Sequence, residues 1–506
     1  MKASEMWKAF CEKAKLDEKT PYEAWAFCGG GEMGDALAYL TLKGVKTGTA
    51  SWQDSYEAEG EALPEAGEYS VILFDDGEAA CVIRTDSVEV VPFDEVSAEH
   101  AFAEGEGDRS LAYWRQVHEE IFTEECAEDG IAFDRSHCAV LERFSVVYKP
   151  ISTVTIVSLS AGVLGEKFVA HEKEIGEKRL SEMGLKVKYA PHALCGIEYI
   201  KNHPEKRAED LLWAFEDEET DMILCAIGGE DTYRLLPYLF GNGELQRAIK
   251  KKPFLGFSDT TMNHLMLHKV GLDTFYGQSF LADLCDIGPD MPEYTRHYFE
   301  ELIYRGKIRE IVPSRQWFEP RSDFSVEQIG TELVAHENVG FVLLQGKPKF
   351  EGEILGGCLD SMYDIFDGTR FADSPEVCAK YGIFPDLEDW RGKILLLETS
   401  EERMSPEKFG KALGKLKDAG VFKVVSGVLV GRPVDEKYLE EYKKLLVQGI
   451  NDPELPVVCN LSIGHCEPRC VLPFGVRCEV DAEKQIIKLG VRSEEYRVST
   501  TRERGH

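Results

Sequence analysis

One serine of this sequence stands where a strand is expected to end and a helix to begin. Residues 253–255 indicate a buried strand, Gly256 lets the backbone turn, and residues 261–267 indicate a helix. The intervening Gly-Phe-Ser-Asp-Thr would present the Ser258 hydroxyl at a sheet edge, beside the free N–H groups and dipole of a helix start. A nucleophile there has oxyanion stabilisation next to it. The alternative is that Ser258 only caps the helix, as serine commonly does.

The elements around this serine predict a parallel α/β layer. From residue 151 onward, apolar strands alternate with long helical segments, as in parallel sheets covered by helices. Strands are predicted at 153–158, 185–187 and 222–227, and helices at 163–183 and 208–215. The third strand ends in Gly228 and Gly229, which permit a tight turn with outward-pointing N–H groups. That turn is a candidate second half of an oxyanion hole.

A second α/β unit is predicted after an irregular stretch. Residues 286–335 contain four prolines and the exposed-looking Trp317, and we expect them to be irregular and to form a linker or lid. Strands are then predicted at 393–398, 427–430 and 456–458, with a helix at 406–419. Glu398 closes a run of four apolar strand residues, so it should lie at the carboxyl end of its strand, where α/β sites are built.

Residues 1–148 indicate a smaller α+β unit. Strands are predicted at 69–74, 80–84, 88–91 and 144–148, with a hairpin signal at Asp75-Asp76-Gly77 and a helix at 110–122. This pattern predicts a small curved sheet with helices packed on it.

Composition and charge narrow the classes of function. The 506 residues suffice for two to four domains, and 43% hydrophobic and 29% charged residues are typical of globular proteins. We find no apolar stretch of membrane-spanning length and no secretory signal, so we expect a cytoplasmic protein. The net charge is −33, and residues 1–150 contribute −19 from 13 Lys and Arg against 32 Asp and Glu. Such a field would repel a phosphate backbone.

The 14 cysteines indicate reduced thiols, since a chain of this size needs no disulfides for stability. One group, Cys459, Cys466, Cys470 and Cys478, is clustered in sequence but contains no C-x-x-C pair. We therefore expect neither a metal site nor a cofactor.

Six short motifs follow one another between residues 227 and 465: Ile-Gly-Gly at 227–229, Gly-Phe-Ser-Asp-Thr-Thr at 256–261, Phe-Tyr-Gly at 275–277, Gly-Gly at 356–357, Leu-Leu-Glu at 396–398 and Gly-His at 464–465. Together they resemble the LD-carboxypeptidase family of serine peptidases, in particular the branch of the microcin C immunity peptidase. The resemblance covers about residues 150–496. It implies a Rossmann-like domain at 150–300 that carries the nucleophile, a linker or lid at 301–335, and a β-rich C-terminal domain at 336–506. It also implies a catalytic triad of Ser258, Glu398 and His465.

Residue chemistry supports this assignment. Serine is inert until an imidazole removes its proton, and a carboxylate orients that imidazole and stabilises its charged form. His465 follows Gly464 in a loop, which suits a base that must reach across a cleft. The rivals His264 and His268 lie on the helix after Ser258, whose later turns point away from the nucleophile, so we expect them to be packed or solvated.

The same resemblance implies roles for other residues. The oxyanion donors would be the N–H groups of Gly229 and Asp259, and Gly228 and Glu230 would contact substrate. Trp317 matches a loop tryptophan that stacks on the substrate's nucleobase in the immunity branch, although such a residue can also merely anchor its loop. Many LD-carboxypeptidases have Arg-Gly-Gly-Tyr-Gly where this chain reads Ile-Gly-Gly-Glu-Asp, which favours the immunity branch over muropeptide cleavage.

The N-terminal unit has motifs of its own, at residues 42–50, 67–69, 104–110 and 114–115. They resemble an ASCH domain, a PUA-like fold associated with RNA or modified-nucleoside chemistry, over roughly residues 20–148. The resemblance places Lys46, Thr49 and Glu106 in the cleft of that domain. A lysine flanked by acids can act as a base or phosphate ligand, but the same pattern also fits a surface salt bridge.

Two functions from different classes are therefore predicted. The first is a serine peptidase or amidase that cleaves an amide in a small peptide or peptidyl-nucleotide, with family resemblance implying a homodimer. The alternative is nucleoside or RNA binding, or nucleoside-amide hydrolysis, through the ASCH domain, with the peptidase part as scaffold; the negative charge favours a small nucleoside over RNA. A third possibility, an α/β-hydrolase esterase, is weakened because Thr260 stands where that family has glycine.

Overall fold

The structure is a computed structural model that describes residues 1–128 and 130–490. The chain divides into two compact units. The first unit contains Met1–Ser152, Leu180–Lys186 and Ile303–Gly306, and the second contains Thr153–Arg179, Val187–Leu302 and the described residues from Lys307 onward. None of the helices in these residues combines the length and the apolar composition that a membrane crossing requires.

The first unit is built on a five-stranded sheet with the order β1-β3-β4-β5-β2. Its strands are β1 (Glu23–Trp25), β2 (Gly48–Trp52), β3 (Tyr69–Leu73), β4 (Ala79–Pro92) and β5 (Cys138–Tyr148). Its helices are α1 (Ala3–Ala14), α2 (Gly31–Leu42), α3 (Gln53–Glu59), α4 (Ala98–Glu104) and α5 (Leu111–Glu128). The two strands predicted at 80–84 and 88–91 form the single strand β4, because an irregularity between Thr85 and Ser87 lets its ladder to β5 continue.

Aromatic side chains fill the core between this sheet and α5. Trp52 of β2, Phe93 and the helix residues Trp114 and Phe122 are all at most 2% exposed. Burying rings of this size contributes roughly 1.5–3 kcal/mol each relative to leaving them exposed. The apolar residues predicted to recur with helical spacing from residue 110 onward therefore lie on the face of α5 that packs against the sheet.

The second unit contains three sheets. Its strands are β6 (Thr153–Val157), β7 (Lys186–Tyr189), β8 (Met222–Cys225), β9 (Phe254–Gly256), β10 (Phe275–Tyr276), β11 (Glu310–Ile311), β12 (Gln316–Phe318), β13 (Ala335–Glu337), β14 (Val342–Gln345), β15 (Lys349–Cys358), β16 (Ile394–Glu398), β17 (Gly427–Gly431), β18 (Val457–Leu461), β19 (Leu472–Pro473), β20 (Arg477–Asp481) and β21 (Ile486–Leu489). Its helices are α6 (Ala170–Glu182), α7 (Ile197–Asn202), α8 (Pro204–Glu216), α9 (Leu236–Phe240), α10 (Glu244–Ala248), α11 (Thr261–Lys269), α12 (Glu293–Arg305), α13 (Leu359–Asp364), α14 (Ser374–Tyr381), α15 (Leu387–Trp390), α16 (Pro406–Asp418) and α17 (Leu439–Ile450).

Two of these sheets have parallel centres, as the alternation of strands and helices predicts. One sheet has the order β19-β10-β9-β8-β6-β7, and its strands β6, β8, β9 and β10 run parallel. The other has the order β11-β21-β20-β15-β16-β17-β18-β14, with β15 to β18 parallel and antiparallel strands at both ends. The predicted fold class is confirmed, including the β-rich C-terminal part. The small remaining sheet pairs β12 with β13.

The prediction that residues 286–335 are irregular is wrong. Helix α12 occupies part of this stretch and buries Tyr298, Phe299 and Leu302 on one face. The prolines that suggested disorder lie before and after this helix rather than within it. The linker or lid at 301–335 and the domain boundaries at 148, 300 and 336 stay predictions, and residues 491–506 of the last predicted domain lie outside the described residues.

Candidate active site

The predicted nucleophile, base and acid all follow strands of the two parallel layers. Ser258 comes two residues after β9, Glu398 is the last residue of β16, and His465 lies four residues after β18. Because the carboxyl ends of parallel strands share an edge, Glu398 and His465 meet at one end of the eight-stranded sheet, whereas Ser258 comes from the six-stranded sheet. The structure places the His465 side chain within hydrogen-bond distance of both Ser258 and Glu398.

Ser258 occupies a strained turn between β9 and α11. Its backbone φ is 65°, in a region that non-glycine residues rarely adopt, whereas the preceding Phe257 is extended. Thr260 is the N-cap of α11, and no side chain makes a capping hydrogen bond there. The alternative in which Ser258 merely caps the helix is therefore wrong, and its hydroxyl is directed to another partner.

That partner is the imidazole of His465. Ser258 Oγ lies 3.0 Å from His465 Nε2, and His465 Nδ1 donates a hydrogen bond of 2.7 Å to Glu398 Oε2. Glu398 is 1% exposed, so its charge acts on the imidazole with little screening by water. A carboxylate, an imidazole and a hydroxyl in this order can transfer a proton from serine and stabilise the resulting imidazolium.

Two glycines make this close approach possible. A Cβ built on Gly228 would lie 2.6 Å from Ser258 Cβ and 2.8 Å from Ser258 Oγ. A Cβ on Gly464, whose φ is 80°, would lie 2.4 Å from Glu398 Oε2. Any larger residue at these positions would displace the nucleophile or the acid.

The turn after β8 is tied to the serine turn by side-chain hydrogen bonds. Ser160 Oγ donates to Asp259 Oδ2 at 2.9 Å and accepts from the N–H of Glu230 at 3.0 Å, and the N–H of Thr232 donates to the same Asp259 oxygen at 2.9 Å. Within the described residues, the N–H groups of Gly229 and Asp259 donate no hydrogen bond. Two such donors beside a nucleophile can stabilise an oxyanion. Ser160 was not among the residues that the sequence indicated.

A second carboxylate contacts the imidazole. Glu401 Oε2 lies 2.9 Å from His465 Nε2, the same nitrogen that faces Ser258, and its side chain is 72% exposed. Burial alone would lower the pKa of His465, but the charge and hydrogen bond of Glu398, together with Glu401, raise that pKa to about 10. The hydrogen bond with His465 lowers the pKa of Glu401 to about 2. Both carboxylates therefore favour the protonated form of the imidazole.

One buried tyrosine joins the acid to the nucleophile. Tyr276 donates a hydrogen bond of 2.5 Å from its hydroxyl to Glu398 Oε1 and accepts one of 3.2 Å from the N–H of Ser258. Burial and the Glu398 charge raise the pKa of Tyr276 well above its ordinary value, so the hydroxyl stays protonated and keeps donating. Tyr276 belongs to the Phe-Tyr-Gly motif, but nothing in that motif indicated its role.

A pocket of about 320 Å³ opens on Ser258. Gly229, predicted to donate to an oxyanion, and Glu230, predicted to contact substrate, both line it. Its charged lining residues are the carboxylates Glu230, Asp231, Asp360, Glu401 and Glu402 and the cations Lys201 and Arg370. The sequence had singled out only Glu230 among these. The others were not indicated because they come from five separate segments and no local pattern connects them.

Trp317 lies on β12 and does not line this pocket. Its ring is stacked on the His336 ring of β13 at 4.3 Å, and the Arg432 guanidinium lies 5.6 Å from its centroid. Its predicted contact with a nucleobase stays a prediction.

The rival His264 is buried away from the nucleophile. Its ring nitrogens bond Thr274 Oγ1 at 2.8 Å and the carbonyl of Gly256 at 3.1 Å, and burial lowers its pKa to about 4. It is a neutral core histidine, as its position on α11 predicted.

One set of side chains within the described residues has metal-ligand chemistry. Cys358, Glu398 and His465 each offer an atom within 4.8 Å of the others. Burial raises the pKa of the Cys358 thiol well above its ordinary value, and both imidazole nitrogens already have partners, so this set suits proton transfer better than a metal. The cysteines at 459, 466, 470 and 478 are buried free thiols whose pKa values burial also raises.

In the first unit, Lys46 and Glu106 meet as expected. Lys46 is 1% exposed, and its Nζ donates hydrogen bonds to Glu106 Oε1 at 2.6 Å and to Glu104 Oε2 at 3.2 Å. Trp114 Nε1 also donates to Glu104, at 2.6 Å. Thr49 lies on β2, half-buried. The buried ion pair excludes the surface salt bridge weighed for Lys46, and Glu104 is a partner that the sequence did not single out.

Comparison with known families agrees with both units. The LD-carboxypeptidase N-terminal domain profile matches residues 154–277, and the LD-carboxypeptidase C-terminal domain profile matches residues 351–480. The ASCH domain profile matches residues 23–148.

Individual proteins show the same relationship. A crystal structure of an MccF-like protein from Streptococcus pneumoniae in complex with AMP is 59% identical, with a TM-score of 0.66, over 67% of this chain and 98% of that one. A structure of MccF in complex with glutamyl sulfamoyl guanosine shares the fold at 20% identity, with a TM-score of 0.55, over 68% of this chain and 97% of that one.

Two named proteins are more distant in sequence. The probable murein peptide carboxypeptidase of Bacillus subtilis (strain 168) is 28% identical over 62% of this chain and 85% of its own length. The Microcin C7 self-immunity protein MccF of Escherichia coli is 23% identical over 56% of this chain and 78% of its own length.

Proposed function

The chain belongs to the LD-carboxypeptidase family, whose members hydrolyse peptide-type bonds, and we propose that it cleaves the amide of an aminoacyl- or peptidyl-nucleotide by acyl-enzyme chemistry at Ser258. The observation that carries this proposal is the continuous contact from Glu398 through His465 to Ser258, at 2.7 and 3.0 Å.

In the proposed reaction, the neutral form of His465, reached when Nε2 gives up its proton, takes the proton of Ser258 at Nε2 as Oγ attacks the carbonyl carbon. The N–H groups of Gly229 and Asp259 hold the oxyanion, and one such donor is worth about 2.7–4 kcal/mol of barrier. The imidazolium then gives its proton to the leaving nitrogen, and water hydrolyses the ester by the same steps in reverse. Glu398 keeps Nδ1 protonated and stabilises the charged ring. Proton transfer of this kind contributes typically 10²–10⁴-fold.

Two observations favour a nucleotide conjugate over a murein peptide. The protein from Streptococcus pneumoniae, at 59% identity, is described in complex with AMP, and MccF with glutamyl sulfamoyl guanosine. The turn at 227–231, Ile-Gly-Gly-Glu-Asp, also lacks the arginine of many LD-carboxypeptidases. The relationship to a murein peptide carboxypeptidase keeps a murein tetrapeptide as the competing substrate.

A fluorophosphonate probe and a hydrolysis assay test the proposal together. We expect the wild type to be labelled and to release sulfamoyl adenosine from glutamyl sulfamoyl adenosine, and Ser258→Ala to do neither. Ser426→Ala is the matched control, because among the residues that the structure describes its hydroxyl bonds only the carbonyl of Lys393, away from Ser258. Equal labelling of wild type and Ser258→Ala would remove the assignment of the nucleophile. Faster cleavage of a murein tetrapeptide than of the nucleotide conjugate would reassign the substrate.

Trp317 is proposed to stack on the nucleobase. Its half-buried ring and the adjacent Arg432 offer a flat surface with a cation nearby. Since base stacking is worth about 1–3 kcal/mol, Trp317→Ala should raise KM for the adenosine conjugate roughly 5- to 150-fold and Trp317→Phe much less. An analogue without the base should show no difference between the variants. The same loss on both substrates would indicate that Trp317 only anchors its loop.

A second candidate function belongs to the ASCH domain, which we propose binds a small nucleoside at Lys46, Thr49 and Glu106. It is favoured by the burial of Lys46 between two carboxylates, an arrangement whose desolvation cost suggests a use beyond stability. Calorimetric titration of the full-length Ser258→Ala variant with nucleosides, and with a short RNA at two salt concentrations, tests it. Binding of RNA with a steep salt slope would indicate phosphate contacts instead, and no binding of either would exclude this function.

A further inference from the structure

The pocket at Ser258 carries more carboxylates than cations, and one of those carboxylates is incompletely bonded. We propose that Asp360 binds an ammonium group on the acyl part of the substrate, so that the enzyme selects aminoacyl groups whose α-amino group is free. This inference rests on the proposed function and names the substrate class of the same site.

Asp360 combines deep burial with an unused acceptor. The residue is 4% exposed, and its Oδ2 accepts a hydrogen bond of 3.1 Å from the N–H of Ser400. Its Oδ1 is buried and accepts no hydrogen bond from the described residues, although the residue lines the pocket. Lys408 Nζ lies 3.6 Å from Oδ1, which offsets charge but is too far for a hydrogen bond. A substrate ammonium, with three donors, would supply the missing bond.

The position of Asp360 suits a group close to the scissile carbonyl. It lies two residues beyond Cys358, the end of β15, and Cys358 is paired with Glu398 on the neighbouring strand. Cys358 Sγ is 3.9 Å from Asp360 Oδ2 and within 4.8 Å of ligand atoms of Glu398 and His465. Asp360 is therefore separated from the imidazole by one side chain. The α-amino group of an aminoacyl substrate, two bonds from the carbon that Ser258 attacks, fits this spacing.

The remaining charges of the pocket argue against a substrate carboxylate as the selected group. Arg370 already pairs with Glu402 at 2.5 Å and with Asp364 at 3.7 Å. Asp231 is engaged by Arg207 at 2.6 Å. A carboxylate would have to compete with Glu402 for Arg370 or pair with the exposed Lys201, whose charge water screens, whereas an ammonium meets a buried oxygen that accepts no hydrogen bond from the described residues. Burial raises the pKa of Asp360, and the Ser400 hydrogen bond and the Lys408 charge offset this only in part.

Three substrates that differ only at this amino group test the inference. The full-length enzyme is assayed with glutamyl sulfamoyl adenosine, its Nα-acetyl derivative and the analogue with hydrogen in place of the α-amino group. A charge-assisted hydrogen bond in a buried site should make the free amine about 10- to 150-fold better in kcat/KM than the other two. Asp360→Asn should lose this preference by lowering only the rate on the free amine. Asp481→Asn, which alters an aspartate 3% exposed and outside the pocket, should keep it.

The outcomes separate this inference from the proposed function. Equal kcat/KM for the three substrates in wild type, or a preference that survives in Asp360→Asn, would overturn the role of Asp360, while fluorophosphonate labelling of Ser258 would still support the hydrolase. Absence of both labelling and hydrolysis in wild type would overturn the proposed function itself. The wild-type comparison needs no variant, so the inference stays testable even where thermal melting shows Asp360→Asn to be unfolded.

Discussion

Substitution of Glu401 tests quantitatively which carboxylates keep His465 protonated in the free enzyme. It shares His465 Nε2 with Ser258, at 2.9 and 3.0 Å, so a charged Glu401 favours the protonated ring that cannot accept the serine proton. With a His465 pKa of about 10, roughly one free enzyme molecule in a thousand has a neutral imidazole at pH 7. Glu401→Gln removes one of the two carboxylates and should therefore raise activity at neutral pH.

The size of this effect follows from exposure. Glu401 is 72% exposed, and a solvent-screened ion pair at this separation is worth about 1 kcal/mol. That energy corresponds to about 0.7 of a pKa unit and to about a fivefold gain in kcat/KM at pH 7. Glu398 is buried and still contacts His465 in this variant, so the acid limb of the plot of kcat/KM against pH should shift to lower pH rather than disappear.

The assay is kcat/KM for glutamyl sulfamoyl adenosine between pH 6 and 10.5. Glu402→Gln is the control, because Glu402 is a neighbouring carboxylate that pairs with Arg370 instead of the imidazole, and the acid limb should stay where it is in wild type. An unshifted limb in Glu401→Gln, or an equal shift in both variants, would refute the idea that Glu401 holds the imidazolium.

The same pair has a predictable effect on stability. The pKa of His465 is raised, so its contribution to folding is complete below about pH 6.5 and is lost as pH rises through about 10. The pKa of Glu401 is lowered, so its contribution is complete above about pH 4.5 and is lost as pH falls through about 2. Glu401→Gln should therefore cost up to about 1 kcal/mol from about pH 4.5 to about pH 9, and less as the pH rises through the folded pKa of His465, as urea denaturation at several pH values would measure.

Two further variants probe the geometry of the nucleophile and its supports. Gly228→Ala should reduce kcat by about 10²-fold, because the added Cβ would displace Ser258. Gly414→Ala is the control and should leave kcat unchanged, because the space around its Cβ on α16 is open. A kcat near that of wild type in Gly228→Ala would show that the turn can rearrange to accommodate the methyl group. Tyr276→Phe removes the hydroxyl that donates a hydrogen bond to Glu398. Because losing such a bond to a buried carboxylate costs about 1–3 kcal/mol, kcat should fall roughly 5- to 150-fold and fluorophosphonate labelling of Ser258 should slow. An unchanged labelling rate would limit Tyr276 to a structural role.

Local patterns predicted much of this molecule because they report on local physics. The serine turn could be located because a short apolar run, a glycine and a helical period must follow one another there. Strand β4 and helix α12 were mispredicted for the opposite reason. In β4, pairing with β5 overrides three polar residues, and in α12 burial of Tyr298 and Phe299 outweighs the flanking prolines. Oligomeric state and cellular location stay predictions.

Some site residues could likewise be predicted from local patterns, whereas others depend on tertiary packing. Ser258, Glu398 and His465 were indicated by motifs in a family order, and the structure adds the distances that join them. Asp360 and Glu401 carried no signal, since an aspartate or glutamate near a strand end is common and its meaning depends on what surrounds it. Only the packed structure separates Asp360, which is buried with one oxygen that accepts no hydrogen bond from the described residues, from carboxylates with full sets of partners.

The sequence by itself determined which chemistry was available: a serine in a turn between a strand and a helix, a carboxylate at a strand end and a histidine in a glycine loop. Tertiary structure alone decided that the imidazole faces two carboxylates, that a tyrosine hydroxyl ties the acid to the serine turn, and that the pocket is acidic. The reason is physical, because pKa values, desolvation and hydrogen-bond satisfaction depend on distances between atoms that lie more than a hundred residues apart in the chain.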